Sequence, residues 1–474
     1  MGTERVFPSL FTFILSPSME IDSTFPSSTR TKKSEKEVLV EKSKTSKANK
    51  PRRMANNKKP NIIRGLRFII QKVTPFSLAG KELRVENKGM NKVKSEASLT
   101  FWEGAGIIVG HGVGSGVLAV PYLASRNSWQ SFVIIIVAAY LVNLILHYMI
   151  AELSLNNGGG QFITIFENEL FKGKVGKYLS WGAFAIMGFS VLVNIAGFIS
   201  GGGAVFSSWF GLPVWVSQLL YFALCSVVVY AGMKAVGICE KISVFSMVVV
   251  VLILFISVMT GDKESLPSHF VAPSNILALY GMVAFALSAV MSVPQVVKGF
   301  HGDPKKIKSS IAAGTGLNVV LIVVITFMTL IGSGSSITQD GALVDLSRKL
   351  GGWVGVVGYI FSLLALSTSF WANSLNLRDI VSEKTGLSRK KSWILATLPC
   401  LILALLGLEG FVGFTRIAGV IQVITGLGVI LAYHISRKRT GGSPICSFFG
   451  TLPFQIIVVV GSLASTVGSL IKVV

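Results

Sequence analysis

A series of apolar segments follow one another from residue 100 to the C-terminus. Each is about twenty residues long, the length an α-helix needs to cross the hydrocarbon core of a bilayer. The composition agrees, with 51% hydrophobic residues and a mean hydropathy of +0.65. We predict an all-α integral membrane protein with eleven spans, near 102–124, 129–154, 178–208, 213–232, 237–260, 274–298, 309–332, 351–377, 391–408, 411–435 and 452–471.

The loops between these segments carry basic residues asymmetrically. Those after the second, fourth, sixth, eighth and tenth spans hold seventeen lysines and arginines, whereas the opposite loops hold few. Because basic loops stay in the cytoplasm, this predicts a cytoplasmic N-terminus and, with eleven spans, an external C-terminus. We expect a multi-pass protein of the cell (plasma) membrane.

Residues 1–99 have a different composition from the rest of the chain. They contain 21 basic and 9 acidic residues and are rich in Ser, Thr and Asn, so they cannot bury an apolar core. We predict two regions: a basic, largely disordered cytoplasmic tail over 1–99 and a transmembrane domain over 100–474. Met54 and Met90 are alternative starts within the tail.

The first span contains an unusual concentration of glycine. In residues 110–122 (GHGVGSGVLAVPY) every second position from Gly110 to Gly116 is glycine. Glycine in a helix interior is costly, so this pattern favours an interruption of the helix, which at membrane depth must be buried in protein or line a wet cavity. The alternative is a glycine face for close helix packing.

A second segment resembles the first. Residues 288–294 (SAVMSVP) in span six match residues 115–121 (SGVLAVP) in span one at serine, valine, valine and proline. Interrupted segments at corresponding places in two halves of a membrane protein indicate the binding site of a secondary transporter. We predict that spans one and six are both interrupted, near 112–116 and 288–292, and face each other.

Two interrupted helices suit a zwitterion. Free N–H groups at one new helix end favour a carboxylate, and free carbonyls at the other favour an ammonium group or a cation. No Asp, Glu, Lys or Arg lies between residues 104 and 125 or between 270 and 297, which argues against a charged substrate side chain. His111 adjoins the first interruption and titrates near neutral pH, so it is a candidate for ion coupling.

Polar residues at membrane depth are costly and mark candidate functional positions. Within the predicted spans they are His111, Ser115, Asn143, His147, Asn194, Ser288, Ser292, Asn318, Ser367, Thr368, Ser369, Asn373 and Arg416. The four cysteines show no metal-binding spacing, and no soluble-enzyme motif is present. We therefore expect no catalytic residues, no metal, no cofactor and no nucleic-acid partner.

These segments resemble a known family. Residues 112–122 (GVGSGVLAVPY), 285–295 (FALSAVMSVPQ), 302–306 (GDPKK) and 364–379 (LALSTSFWANSLNLRD) are similar to motifs of the aromatic amino acid permease and amino acid/auxin permease group of the amino acid–polyamine–organocation superfamily. The resemblance implies the five-plus-five inverted repeat of the leucine transporter, with helices 1 and 6 interrupted and one helix added.

The resemblance also implies roles for individual residues. The substrate carboxylate would meet backbone amides in the first interruption, and the amino group and side chain would meet the second. The implied substrate-binding residues are Gly112, Gly114, Ser115, Gly116, Ser288, Ala289, Met291 and Ser292. Ser367 and Thr368 match hydroxyls that line a sodium site in sodium-coupled relatives, while His111 stands where relatives have a small or neutral residue.

We therefore predict a symporter for neutral amino acids, aromatic or large and apolar, coupled to H⁺ or Na⁺. Its partners are the amino acid, the cation and the lipid bilayer. Small neutral amino acids or amines are the alternative substrates. A membrane amino acid sensor with the same fold, which binds without transporting, is the alternative function, favoured by the long tail.

Overall fold

The computed structural model describes residues 98–114, 116–268, 272–334, 337, 346, 349–441 and 445–471, without the side chains of 118, 411–413 and 415–425. The predicted tail region before residue 98, with Met54 and Met90, therefore lies outside the described residues, as do Ser115 and the side chain of Arg416. The two-region division of the chain stays a prediction.

The regular secondary structure of the described residues is entirely helical. Its helices are α1 (Phe101–Val113), α2 (Gly116–Ser125), α3 (Trp129–Asn156), α4 (Phe162–Glu169), α5 (Gly173–Phe210), α6 (Val214–Ala231), α7 (Met233–Thr260), α8 (Pro273–Leu287), α9 (Val293–Gly299), α10 (Pro304–Ser333), α11 (Trp353–Thr385), α12 (Arg389–Leu405), α13 (Phe411–Thr440) and α14 (Leu452–Leu470). Short 3₁₀ turns lie at Val290–Ser292 and Ser447–Gly450.

The helices follow the predicted spans closely. Spans one and six are each built from two helices, α1 with α2 and α8 with α9, and the other nine correspond to α3, α5, α6, α7 and α10–α14. Among the described residues, eight segments are long and apolar enough to cross a membrane. Large apolar side chains such as Leu224 and Phe245 are 62% and 69% exposed, as expected of helix faces that contact lipid.

One helix was not predicted. α4 lies between spans two and three, in a stretch too short and too polar to register as an apolar segment. Its Glu167 pairs with Lys384 at the end of α11 and accepts a hydrogen bond from Ser180 of α5. Partial burial acts to raise the pKa of Glu167, but these two partners outweigh it and hold the pKa below its usual value.

Both predicted interruptions are present. α1 ends at Val113 and α2 begins at Gly116, while α8 ends at Leu287 and a 3₁₀ turn precedes α9. The two interruptions face each other, because a Cβ placed on Gly116 would lie 2.8 Å from the Cβ of Ala286. They also lie where two buried apolar clusters meet, one containing Ile108 and Met291 and the other containing Val113 and Leu287.

The glycines of span one both interrupt the helix and permit close packing. A Cβ on Gly106 would lie 3.0 Å from the backbone N of Lys241 in α7, and one on Gly112 would lie 2.2 Å from Asn318 Nδ2 in α10. Gly114, in contrast, lies at the interruption itself. Both interpretations of the glycine pattern, helix interruption and close packing, therefore apply, each at different positions of span one.

Candidate substrate site

A cavity lies between the two interruptions. Its lining residues are His111, Gly112, Gly114, Gly116, Asn194, Phe198, Phe285, Ser288, Ser369 and Asn373. Aspartate, glutamate, lysine and arginine are absent from this described lining, as predicted from the sequence. Polar groups of the lining come from α1, α5, α11 and the segment after α8, and Phe198 and Phe285 add two aromatic rings.

Not all of the predicted site residues lie at the cavity. Gly112, Gly114, Gly116 and Ser288 line it, but Ala289 and Met291 are buried away from it at 0% and 4% exposure. Ser292 lies behind the lining, with its Oγ 3.0 Å from Nδ1 of His111. His111 thus links the two interrupted spans.

The two hydroxyls predicted to bind a cation point in different directions. Thr368 Oγ1 donates to the carbonyl of Ala365, within α11. Ser367 Oγ lies 3.5 Å from the Sγ of Cys225 on α6. The hydroxyl of span eight that reaches the first interruption is that of Ser369, which donates to the carbonyl of Gly110 at 3.1 Å.

Side chains from neighbouring helices hold the second interruption open. Asn318 of α10 donates through Nδ2 to the carbonyl of Ala286 at 3.0 Å, and Asn376 of α11 donates to the carbonyl of Met291 at 2.6 Å. Unpaired backbone groups at membrane depth each cost several kcal/mol, so these contacts replace the helical hydrogen bonds that the interruption loses. Specific side-chain hydrogen bonds therefore stabilise the interruption, which distinguishes it from a frayed helix end.

His147 of α3 performs the same task for a backbone N–H. The amide of Ala289 donates to His147 Nε2 at 3.0 Å, so that nitrogen carries no proton. Thr315 Oγ1 donates to the carbonyl of Ile311 and lies 3.3 Å from His147 Nδ1, which leaves Nδ1–H as the donor to this hydroxyl. These contacts assign a neutral ring with a single tautomer to a fully buried histidine.

A polar network also supports the α11 side of the cavity. Asn373 Nδ2 donates to the carbonyl of Ser369 at 2.8 Å, and Asn194 Nδ2 lies 3.4 Å from Asn373 Oδ1. The sequence marked all three residues as polar groups at membrane depth, without assigning them to the site. The sequence did not mark the two phenylalanines of the lining as functional, because aromatic residues are common in membrane spans.

Solved structures show the same fold. MhsT, whose crystal structure holds L-phenylalanine, superposes with a TM-score of 0.57 at 16% identity, over 79% of this chain and 99% of that one. Mhp1, a nucleobase-cation-symport-1 family transporter in a closed conformation with bromovinylhydantoin bound, gives a TM-score of 0.57 at 14% identity, over 80% and 94%. These likenesses establish the inverted-repeat transporter fold.

Sequence comparison identifies the family. Two relatives described as tryptophan-specific transport proteins match this chain: that of Pseudomonas aeruginosa at 25% identity over 78% of the chain and 94% of its own length, and that of Haemophilus influenzae at 26% over 68% and 84%. The model of the tryptophan/tyrosine permease family matches residues 97–467. The chain therefore belongs to the tryptophan/tyrosine permease family.

Proposed function

We propose that this chain imports a neutral aromatic amino acid, tryptophan foremost, across the plasma membrane by symport with a cation. Family membership makes the chain an amino acid transporter. The aromatic substrate is supported by the names of the two relatives and by the cavity itself. The observation that carries the proposal is an uncharged cavity between two facing helix interruptions, lined by two phenylalanines.

The cavity offers each part of the substrate a different surface. The start of α2 at Gly116 presents backbone N–H groups and the positive end of the helix dipole, which suit a carboxylate. The end of α8 at Leu287 presents the negative end of its dipole, which suits an ammonium group. Phe198 and Phe285 supply apolar contact area for an aromatic ring, while His111 and Asn194 provide hydrogen-bonding groups for an indole N–H.

Uptake of labelled tryptophan into proteoliposomes tests the proposal. Unlabelled tryptophan, tyrosine and phenylalanine should compete, and small neutral amino acids or amines should not. Phe198→Ala should raise the KM, because Phe198 lines the cavity and is 5% exposed. Phe189→Ala is the matched control, since Phe189 lies on the same helix and is 51% exposed.

The alternatives give different results in the same assay. A sensor would bind tryptophan but move none. Competition by alanine or an amine in preference to tryptophan would assign the transporter to another substrate class. Equal KM values for Phe198→Ala and wild type would show that the substrate does not bind in this cavity.

Import can be assigned only when the membrane topology is known. We propose that the N-terminus is cytoplasmic and the C-terminus is external. The proposal is supported by the basic loops that follow alternate spans. A cysteine introduced at Ser388, exposed in the loop before α12, should react with an impermeant maleimide only after the cells are opened. One at Ser268, exposed before α8, should react in intact cells. The reverse labelling pattern would show that the topology is the opposite of the one proposed.

A further inference from the structure

Glu240 of α7 is a carboxyl group buried inside the helix bundle. Its side chain is 0% exposed, and neither carboxyl oxygen has a hydrogen-bond partner among the residues that the structure describes. An ionised carboxylate without a partner in such a place costs several kcal/mol. The protonated, neutral carboxyl is therefore the form that this arrangement accommodates.

The carboxyl group lies directly behind the first helix interruption. A Cβ placed on Gly110 of α1 would lie 1.7 Å from Glu240 Oε2 and 2.9 Å from the Cβ of Thr368 on α11. Only glycine at position 110 leaves room for the carboxyl. The next two residues of α1, His111 and Gly112, line the cavity. A change at Glu240 thus acts on the same turn of α1 that carries the substrate site.

Charged and titratable groups lie on α7 and on the helices that pack against it. α1, α6, α10 and α11 pack against α7. The titratable or charged residues on these five helices are Glu103, His111, Tyr221, Cys225, Tyr230, Lys234, Cys239, Lys241, Lys305, Lys306, Lys308, Tyr359, Arg378, Asp379, Glu383 and Lys384.

Three of these residues have close partners. Lys234 pairs with Glu103 at 2.6 Å, Arg378 pairs with Asp379 at 2.6 Å, and His111 bonds to Ser292 at 3.0 Å. Among the described residues, no group in this set lies within hydrogen-bonding distance of the Glu240 carboxyl. No described cation therefore hydrogen-bonds to the Glu240 carboxyl to stabilise its ionised form.

We propose that Glu240 carries the coupling proton of the transport cycle, an inference that rests on the proposed symport function. When Glu240 is protonated, Gly106 and Gly110 let α1 pack directly on α7. When Glu240 is ionised, it needs water, which requires α1 to move away from α7. Substrate bound at Gly112 and Gly116 holds α1 in the packed position and so favours the protonated form. By linkage, protonation then raises the affinity for substrate by the same factor.

The surroundings of the carboxyl favour a proton over a sodium ion. Oε2 packs against the bare Cα of Gly110, and the nearby Thr368 presents its Cβ on the same side. The Thr368 hydroxyl already donates to the carbonyl of Ala365. A sodium ion needs several oxygen ligands around it, whereas a proton needs only the carboxyl oxygen that holds it.

The test compares driven uptake with exchange in proteoliposomes. Glu240→Gln keeps the size of the side chain but cannot ionise. In wild type, tryptophan should accumulate under an imposed pH gradient without sodium, and protons should enter with it. Glu240→Gln should still exchange labelled for unlabelled tryptophan, but its accumulation ratio should fall to one. Glu264→Gln is the control, because Glu264 is an exposed carboxylate paired with Lys349.

A second variant covers the case in which Glu240→Gln does not fold. Glu240→Asp keeps a titratable carboxyl on a shorter stem, so it should still accumulate tryptophan, with a shifted pH profile. A pH profile identical to that of wild type would overturn the proposal. So would undiminished accumulation by Glu240→Gln.

The wild-type measurement separates this inference from the proposed function. Accumulation that follows a sodium gradient, without proton entry, would overturn the role of Glu240 and leave amino acid transport intact. Absence of both uptake and exchange in wild type would instead overturn the proposed function, and the role of Glu240 with it.

Discussion

At the scale of single residues, the two histidines near the interruptions have different tasks. His147 accepts a hydrogen bond from the backbone and is fixed in one tautomer. His111 lies at the cavity surface and reaches Ser292 across the interruptions. The presence of a histidine in a membrane span therefore does not by itself identify its role, because that role depends on which groups its two nitrogens contact.

His111→Gln tests the coupling role that the sequence suggested. Glutamine preserves a hydrogen-bonding group and removes titration. If Glu240 carries the proton, this variant should still accumulate tryptophan under a pH gradient, with KM raised no more than about fivefold, the equivalent of one altered hydrogen bond. Loss of accumulation with exchange retained would assign the coupling to His111 instead.

His147→Phe should destabilise the protein. The substitution leaves the N–H of Ala289 buried without an acceptor, which costs about 1–3 kcal/mol. Thermal unfolding in detergent should show a lower Tm, and substrate affinity should fall because the second interruption loosens. His147→Gln is the matched control, since its Oε1 can accept from Ala289. Equal Tm values for wild type and His147→Phe would contradict this account.

At the scale of helices, glycines allow particular pairs of helices to approach closely, because glycine has no side chain. α14 packs against α8 through such positions: a Cβ on Gly281 would lie 2.7 Å from the backbone N of Ser469, and one on Gly468 would lie 2.1 Å from the carbonyl of Leu277. Backbone atoms cannot turn aside as a flexible side chain can. The eleventh span therefore packs closely against the first half of the interrupted sixth span.

Gly468→Ala should separate these two helices. The added methyl group meets the carbonyl of Leu277, so overpacking should cost about 1–3 kcal/mol and lower the Tm in detergent. Gly182→Ala is the control, because a Cβ there meets no other atom within 4 Å. That change should be neutral or stabilising, since alanine is the better helix former. Similar losses in both variants would rule out the packing explanation.

The start of α10 depends on an aspartate cap. Asp303 Oδ1 accepts from the backbone N–H groups of Lys305 and Lys306 at 3.1 and 3.3 Å. The hydrogen bond from Lys306 N–H, followed by that from Lys305 and the nearby charge of Lys306, holds the pKa of Asp303 below its ordinary value. The ionised carboxylate is thus the form that the folded protein favours.

Asp303→Ala should therefore lower the Tm at neutral pH. Because the pKa is depressed in the folded state, its stabilisation is present above the ordinary aspartate pKa of about 4 and is lost as pH falls through the folded value. The Tm difference from wild type should shrink on acidification through that range. Asp303→Asn keeps a capping acceptor without charge and should lose less at neutral pH. A Tm difference that grows with acidification would contradict the assignment.

At the scale of the whole molecule, the cavity belongs to the region that matches the family. That match begins at residue 97, and every residue of the cavity lies beyond it. The tail over 1–99 has the composition of a segment without its own core. Substrate recognition should therefore be independent of the tail.

Deleting residues 1–89 tests this independence. The truncated chain, starting at Met90, should transport with nearly the same KM as the full chain, because the deletion removes no residue that lines the cavity. A second truncation starting at Met54 separates any effect of the first half of the tail from that of the second. A large change in KM would make the tail part of the site or a regulator of it.

The spans and the two interruptions could be predicted from the sequence, because bilayer thickness and the helix penalty of glycine act on contiguous residues. The sequence also indicated an uncharged site, since charge is read directly from residue type. Which polar groups meet, in contrast, depends on the packing of the helices. Ser369 rather than Ser367 reaches Gly110, and Glu240 lies behind the interruption although it stands next to Lys241 near the start of an apolar segment. Such contacts join residues more than a hundred positions apart, and they depend on how helices rotate and pack against one another, which local sequence does not specify.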